Sequence, residues 1–418
     1  MNEHVLVVGT GRDHPALLRD TRPGTRTSVI CQVEYIGNLR KTSEHQRIIG
    51  VRGDADDREW VAMAVAAHGL DPFTRVATFG ERDQDRYAAI GEALGLAAHS
   101  VDTVTAVHDK EVMRTRLHEA GVDSTAHARV ENVAELRAFV GEHGLPCIVK
   151  PVHSMGSAGV TKVTEQGELE TAFERADGSY LGLVNTGVLV EEFHEGPQFS
   201  VEAFSELGEH QVVGITRKYS DPVSLVELGH VSPADLPAEE QKEISDYVGS
   251  LLTALNVEFG PTHTEVVLTS TGPRVIETHV RAGGDEIPGL TLDATGVDIA
   301  EYNVRQILGE DVLADIRATL AAPRPARSSA IWFAAVGAEG ELEEITGIEE
   351  ARELPGVTEV SALVKPGTVV DGLSSSFARV AQARALGETP EEAVAAARAA
   401  VSGLGIRLGV RPLDGSMV

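Results

Sequence analysis

The chain is 418 residues long, with 42% hydrophobic and 24% charged residues, which is ordinary globular composition and excludes wholesale disorder. Its 36 basic and 64 acidic residues give a net charge of −28, so its surface should repel nucleic acid and anionic membranes. At about 150 residues per domain, this length predicts two to four domains, with three as the first expectation.

The cysteine content and the N-terminus predict a cytoplasmic location. Cys31 and Cys147 are too few for a disulfide framework or a four-ligand zinc site, and the apolar run around Cys147 favours a buried structural thiol over a nucleophile. The N-terminus has no signal-peptide design. No uncharged apolar run approaches the ~18 residues of a membrane span, so no membrane contact is expected.

The first 104 residues alternate short apolar runs with helical patterns. Strands are predicted at residues 5–8, 29–33 and 76–79, with a helix over residues 60–68 between the last two. Strands that alternate with helices are typical of a parallel, doubly wound sheet. We therefore predict a Rossmann-like N-terminal domain at residues 1–104.

The turn after the first strand, Gly9-Thr10-Gly11, invites comparison with the dinucleotide fingerprint Gly-x-Gly-x-x-Gly. His14 stands in place of the third glycine, and no clear acidic residue ends a strand about 20 residues later. The pattern favours a tight strand-to-helix turn and excludes NAD as a cofactor.

Residues 105–320 have an α+β pattern. One helix is predicted over residues 104–120, and another over residues 239–255. The predicted strands form antiparallel pairs: 146–150 with 159–163, 188–191 with 199–204, and the two halves of 265–280.

A proline-rich linker at residues 322–326 marks the next boundary, so residues 321–418 are predicted to form a C-terminal α+β domain. Its predicted strands are 329–335, 357–363 and 376–383. An alanine-rich helix over residues 390–403 closes the chain, with Thr389 as its N-cap.

A loop of small residues follows Lys150 and precedes a strand that starts at Gly159. It is not a Walker A loop, because it contains no Gly-Lys-Ser/Thr. Glycines and serines let backbone N–H groups approach a phosphate, and a strand-end lysine adds a point charge. A flexible hairpin loop with a surface lysine would have the same pattern.

The hairpin around Thr271 brings two carboxylates together. If residues 270–272 form a three-residue turn, Thr269 faces Pro273, Val266 faces Ile276, and Glu265 lies opposite Glu277. Two carboxylates at that distance need a divalent cation or a shared proton. His279 and Arg281 lie on the same face by the period-two rule.

A further strand–turn–strand segment runs from Val190 to Glu202. The exposed strand end after Glu191 could offer backbone groups to an adenine edge. An ordinary surface hairpin would have the same sequence pattern.

Taken in order, these segments resemble the ATP-grasp superfamily of ATP-dependent carboxylate–amine ligases, over at least residues 105–290. The resemblance implies an ATP-grasp fold in three domains, with a mobile lid at about residues 125–195. It implies that the following residues bind ATP: Lys110, Lys150, Ser154, Gly156, Ser157, Gly159, Glu191, Glu192, Phe193, His194 and Gln198. Among them, His194 would give its backbone N–H to adenine, and Gln198 replaces the glutamate that usually binds ribose.

The same resemblance implies the chemistry. Glu265 and Glu277 match the carboxylates that bind Mg²⁺ or Mn²⁺, while His279 stands where the family usually has asparagine. Arg281 resembles the residue that stabilises the transferring phosphoryl group, and together with Lys150 it is the expected catalytic residue.

Among subfamilies the chain looks most like the L-amino acid ligases, which form dipeptides. This implies small-molecule carboxylate and amine substrates, amino acids above all, and release of ADP and phosphate. Ligases of this kind are often homodimers. Glu227 and His230 are candidate specificity residues, with a polar surface loop as the other interpretation.

Three alternatives stay open. A biotin-carboxylase-like enzyme would share the layout, but it usually carries His-x-Glu-x-Gln where this chain reads Ser200-Val201-Glu202-Ala203-Phe204. A purine-pathway ligase has similar size and motifs. A non-catalytic nucleotide-binding protein would keep the fold but lose ligands, whereas both carboxylates and both lysines are present here.

Overall fold

The computed structural model describes residues 3–153, 156–179, 185–325, 327–373 and 375–409. Ser154, predicted to contact ATP, lies outside these residues. Within them, no helix has the length and apolar character needed to cross a membrane.

The N-terminal region is a parallel four-stranded sheet with helices on both faces. Its elements are β1 (His4–Val8), α1 (His14–Thr21), β2 (Arg26–Gln32), β3 (Arg47–Val51), α2 (Asp57–Leu70), β4 (Arg75–Thr78) and α3 (Gln84–Leu94). The strand order is β3-β2-β1-β4. Every residue of β1 is buried, because α2 and α3 cover one face and α1 with a later helix covers the other.

The doubly wound parallel sheet is confirmed, but the sequence analysis missed β3. This strand lies at the sheet edge, where its residues alternate between partly buried and exposed. It therefore lacks the continuous apolar run of the central strands.

The single helix predicted over residues 104–120 is wrong, since the chain forms α4 (Val101–His108) and α5 (Lys110–Glu119) instead. Asp109 separates them and caps α5: its carboxylate accepts hydrogen bonds from the N–H groups of Glu111 and Val112. The break places Lys110 in the first turn of α5, and both Lys110 and Arg114 are buried.

A small antiparallel sheet follows. Its elements are β5 (His127–Val130), α6 (Val133–His143), β6 (Cys147–Pro151), β7 (Thr161–Val163), α7 (Leu169–Ala176) and β8 (Val188–Glu192). The order is β5-β8-β6-β7, so the predicted pairing of residues 146–150 with 159–163 is confirmed. The other predicted hairpin is wrong, because β8 pairs with β5 and β6, and residues 199–204 belong to a different sheet.

The large sheet has eight strands, five within residues 198–279 and three in the C-terminal region. Its first part contains β9 (Gln198–Glu206), β10 (Glu209–Ser220), β11 (Glu227–Ser232), α8 (Ala238–Ala254), β12 (Gly260–Thr269) and β13 (Gly272–His279). Three helices come next: α9 (Ile287–Thr295), α10 (Ile299–Ile307) and α11 (Leu313–Ala321). Apolar residues of α4, α5 and α8 pack on this sheet and form its core.

The β12–β13 hairpin pairs Glu265 with Glu277, as predicted, but through a different turn. Thr269 faces Gly272 rather than Pro273, so the turn has two residues instead of three. A bulge after Glu265 places Val266 opposite Val275, not Ile276, and thereby restores the carboxylate pair.

The C-terminal region adds β14 (Ser328–Ala335), β15 (Glu339–Thr346), α12 (Ile348–Arg352), β16 (Val357–Ala362), β17 (Val369–Asp371), β18 (Arg379–Gly387), α13 (Pro390–Ser402) and β19 (Gly405–Gly409). The Thr389 hydroxyl accepts from the N–H of Glu392, as expected of an N-cap. Because β14 pairs with β11, the large sheet continues past the predicted linker. Its strand order is β13-β12-β9-β10-β11-β14-β18-β16. The boundaries at 104 and 320 stay predictions.

Candidate active site

A cavity of about 630 Å³ lies between the small and large sheets. Arg12 and Glu81, from the N-terminal sheet, line it together with Phe377 and Arg379, from the C-terminal region. All three predicted domains therefore contribute to one site.

Lys150 lies at the end of β6, and its ammonium group is buried in the cavity wall. Its Nζ is 2.7 Å from Oε2 of Glu191, whose carboxylate also accepts two hydrogen bonds from Arg114 at 2.9 and 3.0 Å. Burial lowers the pKa of Lys150 and Glu191 opposes that shift. Burial also favours the neutral form of Glu191, but Arg114 and Lys150 outweigh it and lower the pKa of Glu191 to about 2.

Lys150 is therefore a buried cation rather than the surface lysine of a flexible hairpin. Of the loop residues that follow it, Gly156 and Ser157 line the cavity, whereas Gly159 is buried outside the lining. Of the three predicted loop residues that the structure describes, two therefore line the cavity and one does not.

The facing carboxylates Glu265 and Glu277 line the cavity, and each is held by a lysine. Lys110 lies 3.4 Å from Glu277, and Lys218 forms an ion pair with Glu265. Burial disfavours ionisation of both carboxylates, but Lys218 and Lys110 outweigh it. The pKa of Glu265 is lowered to about 2 and that of Glu277 well below its usual value.

Two histidines complete this surface. Nε2 of His279 is 3.3 Å from Oε1 of Glu277, and its Nδ1 is a buried atom without a hydrogen-bond partner among the described residues. His263, opposite His279 on β12, lies 2.5 Å from Glu202 and 3.4 Å from Glu265. Burial lowers the pKa of His263, but Glu202 outweighs it and raises the value to about 9.

Arg281 follows β13 and reaches the N-terminal sheet. Its Nε donates to Glu81 at 3.0 Å, and Glu81 is also 3.6 Å from His279. Burial opposes ionisation of Glu81, but His279 and Arg281 lower its pKa to about 2. Arg281 is therefore held at the cavity edge by a carboxylate from another part of the chain.

The strand end after Glu191 borders the other side of the cavity. Phe193 packs under Lys162, His194 hydrogen-bonds to Thr125 at 2.8 Å, and the exposed Glu192 also lines the cavity. Apolar side chains lie in the same lining, among them Ile148, Val160, Val267 and Ile276. A flat heterocycle with polar edges suits this combination of apolar walls and an exposed strand end.

Gln198 opens β9 beside this strand end. Its side-chain oxygen accepts a hydrogen bond from Ser220 at 3.3 Å, and the residue lines the cavity. Gln198 therefore belongs to the cavity wall, and its contact with ribose stays a prediction.

Glu227 and His230 belong to β11 and line the cavity, so they are not part of a surface loop. Glu227 accepts from Lys218 and from Ser376, both at 3.0 Å. His230 lies 3.2 Å from Asp285. The Asp285 carboxylate also accepts two hydrogen bonds from Arg379, at 2.6 and 2.8 Å.

The sequence analysis missed several cavity residues: Arg12, Glu81, Arg114, Lys218, His263 and Arg379. One signal was available for Lys218, since the chain contains only seven lysines and three of them line the cavity. Strand alternation also places His263 on the face of Glu265. Glu81 and Arg379 gave no local signal, because they reach the site only through the packing of distant segments.

Two family models match the chain. An ATP-grasp domain matches residues 143–288, and L-amino acid ligase C-terminal domain 2 matches residues 332–409. Two curated relatives come from Bacillus subtilis. Alanine–anticapsin ligase is 28% identical over 66% of this chain and 62% of its own length; an L-arginine-specific L-amino acid ligase is 23% identical over 89% and 90%.

The crystal structure of an L-amino acid ligase from Bacillus licheniformis shares the fold. It has a TM-score of 0.82 and 23% identity, over 98% of this chain and 99% of that one. The chain spans between 48% and 62% of the length of several curated relatives.

Proposed function

This chain is an ATP-grasp protein that carries an L-amino acid ligase C-terminal domain, and we therefore propose that it is an ATP-dependent carboxylate–amine ligase. The enzyme activates a carboxylate, that of an amino acid, as an acyl phosphate. It then joins the acyl group to an amine and releases ADP and phosphate.

One observation carries this proposal: two buried lysines and two ionised carboxylates meet in one cavity. Lys110 and Lys150 provide positive charge for the ATP phosphates, while Glu265 and Glu277 face each other from adjacent strands. Phosphoryl transfer depends mainly on such electrostatic positioning. Lys150 is buried and forms an ion pair with Glu191, so its ammonium group is fixed in place without a bound nucleotide.

The donor set fits Mg²⁺. Both carboxylates are ionised well below neutral pH, and carboxylate oxygens are the ligands that Mg²⁺ prefers. Within the described part of the chain, no three His, Cys, Asp or Glu side chains are grouped to hold a metal ion. In this structure Lys110 and Lys218 pair with the two carboxylates. Glu265, Glu277 and His279 would bind the ion, which would neutralise charge on the phosphates.

The reaction then has two chemical steps, and residues of the chain assist each of them. The substrate carboxylate attacks the γ-phosphorus of ATP, ADP leaves, and Arg281 stabilises the charge of the transferring group. The amine then attacks the acyl carbon, and phosphate leaves with the oxygen that came from the carboxylate. The N–H of Ser376 donates to the carbonyl of Gly156 at 3.1 Å and so binds the loop that follows Lys150. This contact helps to exclude water from the acyl phosphate.

The proposal is tested with ATP, Mg²⁺ and each pair of amino acids, by phosphate release and mass detection of products. We expect phosphate release that depends on particular pairs, together with the corresponding amide. Nucleotide binding without turnover for any pair would favour the non-catalytic alternative. Turnover that requires bicarbonate would favour a biotin-carboxylase-like enzyme.

His279 gives a sharper prediction about the metal. Imidazole suits Mn²⁺ comparatively better than an amide oxygen does. We expect His279→Asn to remain active with a shift in preference towards Mg²⁺, and His279→Ala to lose about 10- to 100-fold with either metal. Rates in the two metals, and Mn²⁺ binding with ADP by electron paramagnetic resonance, measure the effect. His118→Ala, at an exposed position of α5, is the control; equal rates and Mn²⁺ affinity for His279→Ala and the control would make His279 a bystander.

The substrates we propose are small carboxylates and amines, with amino acids as the expected class. The relatives named as L-amino acid ligase and alanine–anticapsin ligase support this class. The homodimer and the cytoplasmic location stay predictions.

A further inference from the structure

The apolar side chains of the cavity come from two separate parts of the fold. Val267 and Ile276, on β12 and β13, belong to the group that suits the flat heterocycle of ATP. Leu363, Val364 and Phe377 also line the cavity, and we call them the C-terminal wall because all three come from the C-terminal region. In the large sheet, β12 and β13 lie at one end, β16 and β18 lie at the other, and β10 lies between them. The two apolar groups therefore lie towards different ends of the sheet.

The backbone brings the side chains of the C-terminal wall together. β16 pairs with β18 as far as Ala362 and Ala381, and the N–H of Leu363 then donates to the carbonyl of Val380 at 2.8 Å. Phe377 lies just before β18. Its side chain is 55% exposed and that of Leu363 is 42% exposed. A single exposed apolar side chain is ordinary, but neighbouring ones that line a cavity form an apolar surface that a ligand can cover.

One set of contacts connects the C-terminal wall to the proposed metal site. Ser376, the neighbour of Phe377, donates a hydrogen bond to Glu227 at 3.0 Å. Glu227 in turn accepts from Lys218, which forms an ion pair with Glu265. The wall therefore adjoins the phosphate end of the cavity.

A second contact connects the C-terminal wall to Arg281. Arg379 is the first residue of β18 and donates two hydrogen bonds to Asp285, at 2.6 and 2.8 Å. Asp285 follows Arg281 in the short loop between β13 and α9. The wall is thus tied to the loop that carries the residue proposed to stabilise the transferring phosphoryl group.

The chemistry of the reaction indicates which substrate lies against this wall. In the acyl phosphate, a single oxygen joins the carbonyl carbon of the activated substrate to the transferred phosphorus. The side chain of that substrate is therefore only a few bonds from the phosphoryl group, whereas the amine substrate has no bond to phosphorus. An apolar wall beside Arg281 and Glu265 is accordingly next to the side chain of the activated substrate.

We propose that the C-terminal wall binds the side chain of the activated amino acid and selects a large apolar side chain at this position. The inference rests on the proposed ligase function and goes beyond it, because it distinguishes among amino acids and between the two substrates. Burial of a leucine, methionine or phenylalanine side chain favours binding roughly 10- to 100-fold over an exposed one.

The test supplies ATP, Mg²⁺ and an equimolar mixture of the twenty protein amino acids, and it identifies the dipeptides by tandem mass spectrometry. The N-terminal residue of each dipeptide is the activated substrate, and the C-terminal residue is the amine substrate. Initial rates in such a mixture report ratios of kcat/KM. For the parent protein, we expect leucine, methionine and phenylalanine to exceed glycine and alanine at least ~10-fold at the N-terminal position.

Two variants of the C-terminal wall test its role separately. Phe377→Ala and Leu363→Ala should each lower the N-terminal preference about 10-fold. Phe377 also packs on the loop that follows Lys150, since a Cβ atom added at Gly156 would lie 3.1 Å from its ring. The KM for ATP is therefore measured as well, and it should stay at the parent value in Leu363→Ala. Leu354→Ala is the matched control, because Leu354 is an exposed leucine of the same region that does not line the cavity.

The other outcomes contradict the inference. It is wrong if the parent protein forms dipeptides without this N-terminal preference, or if the preference appears at the C-terminal position instead. It is also wrong if both variants keep the preference of the parent; a higher KM for ATP in Phe377→Ala would then mean that the wall only supports the loop. The ligase function stands in each of these cases. If the parent protein forms no amide at all, both the inference and the proposed function fail.

Discussion

Replacing Lys150 with methionine is expected to lower ATP-dependent turnover at least ~100-fold, the scale of one preorganised charge contact in a transition state. Methionine keeps most of the apolar stem and removes only the charge that the cavity wall presents. The ammonium group is buried beside Glu191, so no neighbouring solvent-exposed lysine can replace it. Steady-state rates with saturating ATP measure the loss.

Lys242→Met is the matched control, because Lys242 is an exposed residue of α8 whose partner is Asp246. It should leave the rate unchanged. The circular dichroism spectrum of Lys150→Met should match that of the parent, since Arg114 still holds Glu191. A near-normal rate in Lys150→Met would show that this lysine has no part in phosphate binding.

Replacing Glu191 with glutamine is expected to destabilise the contact between α5 and the small sheet by about 3–5 kcal/mol, because it removes a carboxylate shared by two buried cations. Lys150 loses its ion pair, and Arg114 keeps only Asp123, at 3.7 Å. Hydrogen exchange of the α5 and β8 amides at pH 7 measures this local loss as an opening free energy. Asp102→Asn is the matched control: it removes an exposed carboxylate paired with Arg116 and should cost less than about 1 kcal/mol. Equal effects of the two substitutions would contradict the account of Glu191.

The same substitution should change the dependence of stability on pH. The pKa of Glu191 falls from the ordinary 4.5 to about 2 on folding, against the effect of burial, because Arg114 and Lys150 favour the ionised form. The carboxylate therefore stabilises the fold fully above about pH 4.5, and this contribution is lost as the pH falls towards 2. Glu191→Gln should remove that part of the acid sensitivity, since glutamine does not titrate.

Local sequence patterns correctly predicted the carboxylate pair of the β12–β13 hairpin, although the predicted turn was wrong. The predicted three-residue turn places Glu265 opposite Glu277 without a bulge. The observed two-residue turn gives the same pair because a bulge follows Glu265. The face of a side chain in a strand depends on neighbours in sequence, so it can be read from a short segment.

Contacts between distant segments could not be predicted from short stretches of sequence. Arg281 and Glu81 are 200 residues apart, and only the packing of the N-terminal sheet against the large sheet brings them together. The same applies to Arg379 and Asp285, which are 94 residues apart. The break at Asp109 was missed for a different reason: the helical pattern continues on both sides, and the cap depends on a single carboxylate.

The transfer of oxygen from the carboxylate to phosphate tests the central claim most directly. An amino acid substrate with ¹⁸O in both carboxylate oxygens is turned over with ATP, and the phosphate and nucleotide are analysed by mass spectrometry. Activation as an acyl phosphate predicts one ¹⁸O in each inorganic phosphate, together with ADP and one amide for each phosphate. Label in AMP, or phosphate that forms without ¹⁸O while the amide accumulates, would contradict it.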